Sequence, residues 1–179
     1  MVRRSTRDDA RAISMIRIET WRVAYDGLVD PALLAQLNLD HETARRDEQW
    51  DAHHVDPRAT EFVAEVDGEP VGWAVAGPAN HPDAERTGEL YAIYVLPTHW
   101  STGVGHVLLE AAEEALRANG FDTAVLWVLD GNTRAAAFYE QHGWVEDGAV
   151  KRDERIEIGD TDVAGLNERR RVRDLRTER

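Results

Sequence analysis

Cysteine is absent from the 179-residue chain, and lysine occurs once, as Lys151. Without a thiol the chain has no disulfides, no thiolate metal ligands and no cysteine nucleophile. No stretch approaches the ~18 consecutive apolar residues of a membrane helix. The opening Val2-Arg3-Arg4, soon followed by Asp8-Asp9, lacks the apolar core of a secretory signal, so the expected location is the cytoplasm and no membrane partner is expected. Positive charge is scarce as well, with 21 Lys and Arg against 34 Asp and Glu for a net charge of −13. Phosphodiester backbones are repelled by such a surface, which argues against nucleic acid and in favour of a cationic partner. The acid sits in the body of the chain: residues 1–150 hold 12 basic and 26 acidic side chains, residues 151–179 hold nine and eight. Repeats, low-complexity blocks and linkers are missing, and the length suits one domain spanning residues 1–179.

Apolar residues from Thr6 to Tyr25 (Ala10, Ile13, Ile16, Ile18, Trp21, Val23, Ala24) recur at helical spacing behind a cap at Ser5 or Thr6. Pro31 opens a second helix, and Asp40 caps a third that runs to about Trp50. Glu61–Val66 and Val71–Ala76 are short apolar strands joined by Asp67-Gly68-Glu69-Pro70, which is hairpin chemistry. Glu89–Leu96 is an aromatic and β-branched strand stopped by Pro97. Val104 to Ala118 then repeats Val104, Val107, Leu108, Ala111, Ala115 and Leu116 on one helical face, ended by Asn119-Gly120. Ala124–Leu129 reads as a buried strand and Asn132–His142 as a helix stopped by Gly143. Trp144–Val150 and Leu166–Leu175 are strands around a polar stretch. A meander followed by strand, helix, strand, helix predicts a mixed α/β (α+β) sheet with helices packed on it and a right-handed crossover through Val104–Ala118.

Ligands in such sheets gather at the carboxyl ends of strands, so the turn after Leu96 is the first candidate site. It runs Pro97-Thr98-His99-Trp100-Ser101-Thr102-Gly103-Val104-Gly105-His106 into a helix. Glycines at i and i+2 permit close backbone approach, and free N–H groups in the first helical turn suit phosphate. A tight turn with glycines for packing explains the same residues. No Gly-Lys-Ser/Thr follows, which excludes the phosphate loop of nucleotide hydrolases, and the third glycine of the dinucleotide fingerprint is missing. His41, His53, His54, His81 and His99 do not repeat with acids at ligand spacing, and no metal is expected.

Three segments in order, Glu89-Leu90-x-x-Ile93-Tyr94-Val95-Leu96-Pro97 with its glycine turn, Ala124–Leu129, and Asn132-x-x-Ala135-x-x-Phe138-Tyr139-x-x-x-Gly143-Trp144, resemble the GCN5-related N-acetyltransferase (GNAT) family. Val2–Arg4, the helix with Trp21, and Tyr25-Asp26-Gly27-Leu28 resemble its small-molecule branches, so the likeness covers nearly the whole chain. The resemblance implies a mixed, mostly antiparallel sheet with two splayed parallel strands, and an acyltransferase that passes the acetyl group of acetyl-CoA directly to a primary amine of a small molecule or peptide. A non-catalytic acyl-CoA-binding regulatory module is the alternative. The family loop pattern Gln/Arg-x-x-Gly-x-Gly/Ala here begins with Trp100, a departure at its basic or polar first position.

By the same likeness the cofactor lies between Glu89–Leu96 and Ala124–Leu129. The backbone of Ile93, Tyr94 and Val95, with a local bulge, contacts its pantetheine, and Ser101, Thr102, Gly103, Val104, Gly105 and His106 form the pyrophosphate cradle. Asn132 bonds the pantetheine or serves as a helix cap alone. Glu89 stands where some branches carry a general base, and is otherwise a strand glutamate facing solvent or an arginine. Tyr139 matches a general acid for the coenzyme sulfur, because a phenol of pKa near ~10 holds its proton at neutral pH; otherwise it is a core aromatic. Trp21, Tyr25 and Asp26 are the candidate acceptor wall, with Trp21 open to a reading as core. Family members often pair through their last strands, which makes Leu166–Leu175 a candidate dimer edge.

Overall fold

The computed structural model describes residues 1–80, 85–153, 156–158, 161–163 and 166–176. The strands are β1 (Val2–Arg4), β2 (Thr60–Val66), β3 (Glu69–Pro78), β4 (Thr87–Val95), β5 (Thr123–Leu129), β6 (Val145–Asp153), β7 (Ile156–Ile158), β8 (Thr161–Val163) and β9 (Leu166–Asp174). The helices are α1 (Ala10–Ala24), α2 (Pro31–Leu34), α3 (Leu39–His53), α4 (Val104–Ala118) and α5 (Thr133–Gln141). Seven strands form one sheet in the order β1-β2-β3-β4-β5-β9-β6, and β7 and β8 form a separate hairpin. Every described neighbour pair is antiparallel except β4 with β5. That architecture is the mixed, mostly antiparallel sheet expected from the sequence.

Local chemistry accounts for most boundaries. The β2–β3 turn puts Asp67 and Gly68 at φ 53° and 84°, the left-handed pair that a two-residue hairpin of matching twist requires. Asp9 accepts the Thr6 N–H and hydroxyl at 2.8 and 3.1 Å, tying down the entry to α1. The α3 cap is Asn38, whose side chain accepts the His41 N–H at 3.0 Å, and not Asp40, which lies inside the first turn and pairs with Arg11 at 2.7 Å. Leu166–Leu175 also departs from expectation. As β9 it is inserted between β5 and β6, so both of its edges are occupied and any edge-to-edge pairing would fall to β6.

The two sheet faces carry different helices. Ala64, Ala74, Leu90, Val95, Ala124, Leu126 and Val128 pack with α4 and α5, whereas Val63, Trp73, Val75, Ala92 and Tyr94 pack with Ile13 of α1. Alternation along β4 breaks between Leu90 and Ala92, because Val75 pairs with Ala92 while Ala76 pairs with Leu90, leaving Tyr91 as a bulge. Helix α4 is rotated from the face read in the sequence: Leu109, Ala112 and Glu113 are buried, and Val107 is 43% exposed. Glu113 explains the rotation. Its Oε1 accepts the Trp144 indole N–H at 2.8 Å, and its Oε2 faces Arg117 at 3.0 Å and Arg173 at 3.2 Å. A second buried carboxylate, Glu61, accepts from Trp73 Nε1 at 2.6 Å, Arg46 at 2.7 Å and the Ser5 hydroxyl at 2.8 Å. Among the described residues no helix is long and apolar enough to cross a membrane.

Glu113→Ala strands the buried Trp144 N–H and removes the acceptor of two guanidinium groups. It is expected to lower unfolding free energy by about 3–5 kcal/mol in urea denaturation, with a smaller loss for Glu113→Gln, which retains an oxygen for the indole.

Candidate active site

Strands β4 and β5 stay together for three register pairs, Thr87 with Thr123, Gly88 with Ala124 and Glu89 with Val125, and then part. On the other side of β4, Leu96 N–H donates to Val71 carbonyl at 2.8 Å. In that antiparallel register the Tyr94 main chain turns toward Trp73 in β3, while the N–H and C=O of Ile93 and Val95 turn toward the gap. The Val95 carbonyl is taken twice, by the Thr20 hydroxyl at 3.0 Å and the Trp100 indole N–H at 2.7 Å. Of the predicted stretch Ile93 to Val95, the Ile93 N–H and C=O and the Val95 N–H therefore face an unpaired strand edge; the Tyr94 main chain does not.

Below the gap, the turn into α4 is shaped for an anion. Ser101 takes φ 63° and Gly103 φ 93°, a left-handed conformation that a side chain at 103 would strain. Among the described residues the N–H groups of Ser101, Thr102, Gly103, Val104, Gly105 and His106 have no acceptor. They converge on the start of a 15-residue helix, whose dipole adds partial positive charge. Gly105 serves packing as well as approach, since a Cβ there would sit 3.4 Å from the Phe138 ring of α5. Thr102 spends its hydroxyl on His99 carbonyl at 2.7 Å, and His106 Nδ1 lies 3.0 Å from His142 Nε2.

Helix α5 brings two further predicted residues to the gap. Asn132 is the N-cap, its Oδ1 accepting the Ala135 N–H at 3.1 Å, which leaves the side-chain amide hydrogens for a ligand. Tyr139 is buried against Phe138 and Trp144, and burial pushes its phenol above the ordinary range, with the Tyr94 phenol close enough to add to the effect. The Tyr25 phenol arrives from α1 and is raised first by burial and next by Tyr94, with Tyr139 and Glu168 within electrostatic reach. The Tyr25, Tyr94 and Tyr139 phenols thus lie within electrostatic reach of one another, with Tyr94 on the part of β4 that has left β5. Trp21 stands edge-on to Tyr25 with ring centroids 5.0 Å apart and packs under Arg17, its buried Nε1 without a partner among the described residues. Asp26 is exposed on the turn beyond α1.

On the α1 face, burial raises the Glu89 carboxyl; Lys151 and the Asn80 N–H pull it back, and the like charge of Glu168 raises it further. Lys151 Nζ is 3.0 Å from Glu168 and 4.7 Å from the centroid of Trp127. Sequence reasoning missed Glu168, the Tyr94 side chain and Arg134. Glu168 belongs to the last strand, and only tertiary pairing sets it opposite Leu129. No sequence signal marked the Tyr94 ring, because the bulge at Tyr91 that moves it onto the α1 face arises only in the β3–β4 pairing. Arg134 stacks on Trp100, its guanidinium carbon 4.2 Å from the ring centroid, and its Nη2 reaches Ser101 Oγ at 3.3 Å. The described residues hold no His/Asp/Glu group of three arranged for a metal, and His81 lies outside them.

The family model described as "Acetyltransferase (GNAT) family" matches residues 21–144. An uncharacterized N-acetyltransferase of Bacillus subtilis is 26% identical over 166 residues, covering 92% of this chain and 86% of that protein. Mycothiol acetyltransferase of Streptomyces griseus is 34% identical over 140 residues, 77% of this chain, yet the match spans only 40% of that longer enzyme. The crystal structure of PaiA N-acetyltransferase from Thermoplasma acidophilum with coenzyme A shares the fold at a TM-score of 0.69, with 16% identity over 97% of this chain and 98% of that one.

Gly103→Asp adds both a Cβ at a left-handed position and a negative charge to the cradle. Coenzyme A is expected to raise the melting temperature of the parent protein, by the mass-action equivalent of about 2.7 kcal/mol at a hundredfold excess over Kd, and to leave that of Gly103→Asp unmoved in a thermal-shift titration.

Proposed function

The chain belongs to the GNAT acetyltransferase family and transfers an acetyl group from acetyl-CoA; from that premise we propose that its acceptor is a primary amine of a small molecule or peptide, cationic in solution, which enters the β4–β5 gap from the α1 face. The observation that carries this reading is the parting of β4 and β5 beyond Glu89 and Val125, with the Glu89 carboxyl at the root of the gap and the Tyr25, Tyr94 and Tyr139 phenols within electrostatic reach of one another. Acetyl-CoA supplies an activated thioester. The residues present fit it: unspent main-chain groups at Ile93 and Val95 for an extended arm, the Asn132 amide hydrogens at the start of α5, and the N–H cradle from Ser101 to His106 for phosphate.

The roles divide by position. An alkylammonium of pKa near ~10.4 has no lone pair to offer at neutral pH, so it must lose a proton before attack. Glu89 takes that proton, directly or through water, and its raised pKa makes it a stronger base than a solvated glutamate. The Ile93 N–H, directed into the gap, donates to the carbonyl oxygen as charge builds on it. As the C–N bond forms and the C–S bond breaks, the leaving thiolate takes the Tyr139 proton, and the second proton, shed by the nitrogen as it becomes an amide, returns to the phenol through water, so that Tyr139, whose pKa burial raises, is again neutral for the next turnover. Trp21 and Tyr25 wall the acceptor side with aromatic surface, and Asp26, Glu89 and Glu168 give that side the negative charge a cation seeks.

Two substitutions test the assignment. Tyr139→Phe keeps the ring in place and removes the hydroxyl, so turnover with acetyl-CoA and a panel of amines is expected to fall by ~10²–10⁴ while the coenzyme Kd and the unfolding midpoint hold. Normal turnover with reduced stability would return Tyr139 to the core. For Glu89, a raised carboxyl pKa means the base becomes available only as pH climbs through that raised value, producing the acid limb of the kcat/KM profile. Glu89→Gln is expected to lower turnover, erase that limb and move the optimum upward, toward the pH at which solution supplies free amine; an unchanged profile assigns Glu89 to structure.

A further inference from the structure

The turn carries an indole where the family pattern carries a polar or basic side chain, and the protein around it is strongly acidic. A diphosphate held by amide groups alone in such a field lacks a formal counter-charge. Three observations locate one. Trp100 is half-buried and locked by its indole N–H on Val95 carbonyl at 2.7 Å, which fixes the ring plane relative to the end of β4. Arg134, in the first turn of α5, lies over that ring at 4.2 Å. Its Nη2 also reaches Ser101 Oγ at 3.3 Å, so the guanidinium sits at the rim of the N–H cradle.

Arg134 is set apart by what it does not touch. Most arginines of the chain meet a carboxylate, as Arg46 meets Glu61, Arg117 meets Glu113 and Arg169 meets Asp130. Arg134 is exposed and, among the described residues, pairs with no acid. A guanidinium lying on an aromatic face keeps its donor edge outward, and that planar fork matches two phosphate oxygens in a way an ammonium does not. Stacking also removes rotamer freedom before the ligand arrives.

We propose that Arg134, mounted on Trp100, is the cation that holds the diphosphate of coenzyme A over the Ser101–His106 turn, so that position 100 has exchanged a charged side chain for a platform and the charge has moved to α5. Trp100 is then a positioning residue. The inference rests on acetyl-CoA as the donor and is independent of which amine is acetylated.

Calorimetric titration of the full chain tests it without turnover, using coenzyme A, dephospho-coenzyme A, which lacks the 3′-phosphate, and pantetheine, which has no phosphate. Arg134→Gln is expected to weaken coenzyme A and dephospho-coenzyme A equally, by roughly tenfold to a hundredfold, to flatten the salt dependence of their Kd, and to leave pantetheine unchanged. Trp100→Leu should reproduce most of that loss and add little to it in the double variant, whereas Trp100→Arg in the Arg134→Gln background should recover affinity. Unliganded melting temperatures separate these effects from misfolding; a destabilised Trp100→Leu would leave Arg134→Gln, at an exposed site, to decide. Equal affinity of parent and Arg134→Gln overturns the proposal, as does a loss confined to coenzyme A, which would assign Arg134 to the 3′-phosphate. Failure of the parent to bind coenzyme A overturns the donor reading along with it.

Discussion

Everything chemical in this protein depends on one interruption of main-chain pairing. A parallel ladder that continued past Glu89 and Val125 would consume the N–H and C=O groups of Ile93 and the N–H of Val95. Parting the strands leaves polar groups unsatisfied at a sheet edge, a cost that proteins elsewhere avoid. The fold meets it by building on both sides. Helix α4 packs on β2, β3 and β4 and, with Tyr139 of α5, shares one apolar core with the buried side chains of β5, while the cluster of Ile18, Trp21, Val29, Leu34 and Leu37 packs on Leu129 and Tyr94 on the other face.

The bulge at Tyr91 is the companion device. One extra residue in β4 reverses the alternation of everything after it, which sends Ile93 and Val95 to the α4 face and Tyr94 to the α1 face while leaving Glu89 upstream of the reversal. Glu89 and the Tyr94 ring consequently share a face, although their separation in sequence is odd. That is also why the Tyr94 ring, rather than its main chain, faces the proposed acceptor side.

Charge is handled locally. The net negative charge is compatible with a stable core because the buried acids Glu61 and Glu113 each receive an indole N–H and a guanidinium, so neither carboxylate is uncompensated. Arginine suits this use, since a planar fork meets a buried carboxylate with several donors. Where the arginine meets an indole and no acid, at Trp100 and Arg134, positive charge remains to spare, and it remains beside the anion-shaped turn.

From sequence alone, the element order outside the polar stretch that holds β7 and β8, the hairpin at Asp67-Gly68, the glycine turn into α4 and the cap at Asn132 were legible, because these are set by contacts within a few residues of one another. Glu89, Tyr139 and the cradle residues were legible as candidates through the resemblance of three motifs, in order, to the GNAT family. Insertion of β9 between β5 and β6, and with it Glu168 beside Lys151, was not, since strand order is decided by which apolar faces find each other across the whole chain. The buried face of α4 was misread for the same reason: Glu113 looks like a solvent-facing residue until Trp144 and Arg173 arrive from distant strands. Sequence determined which chemical groups this protein owns and where its chain turns; tertiary structure decided which of them share a cleft, because the parted strands and the bulge exist only when β3, β4 and β5 are paired.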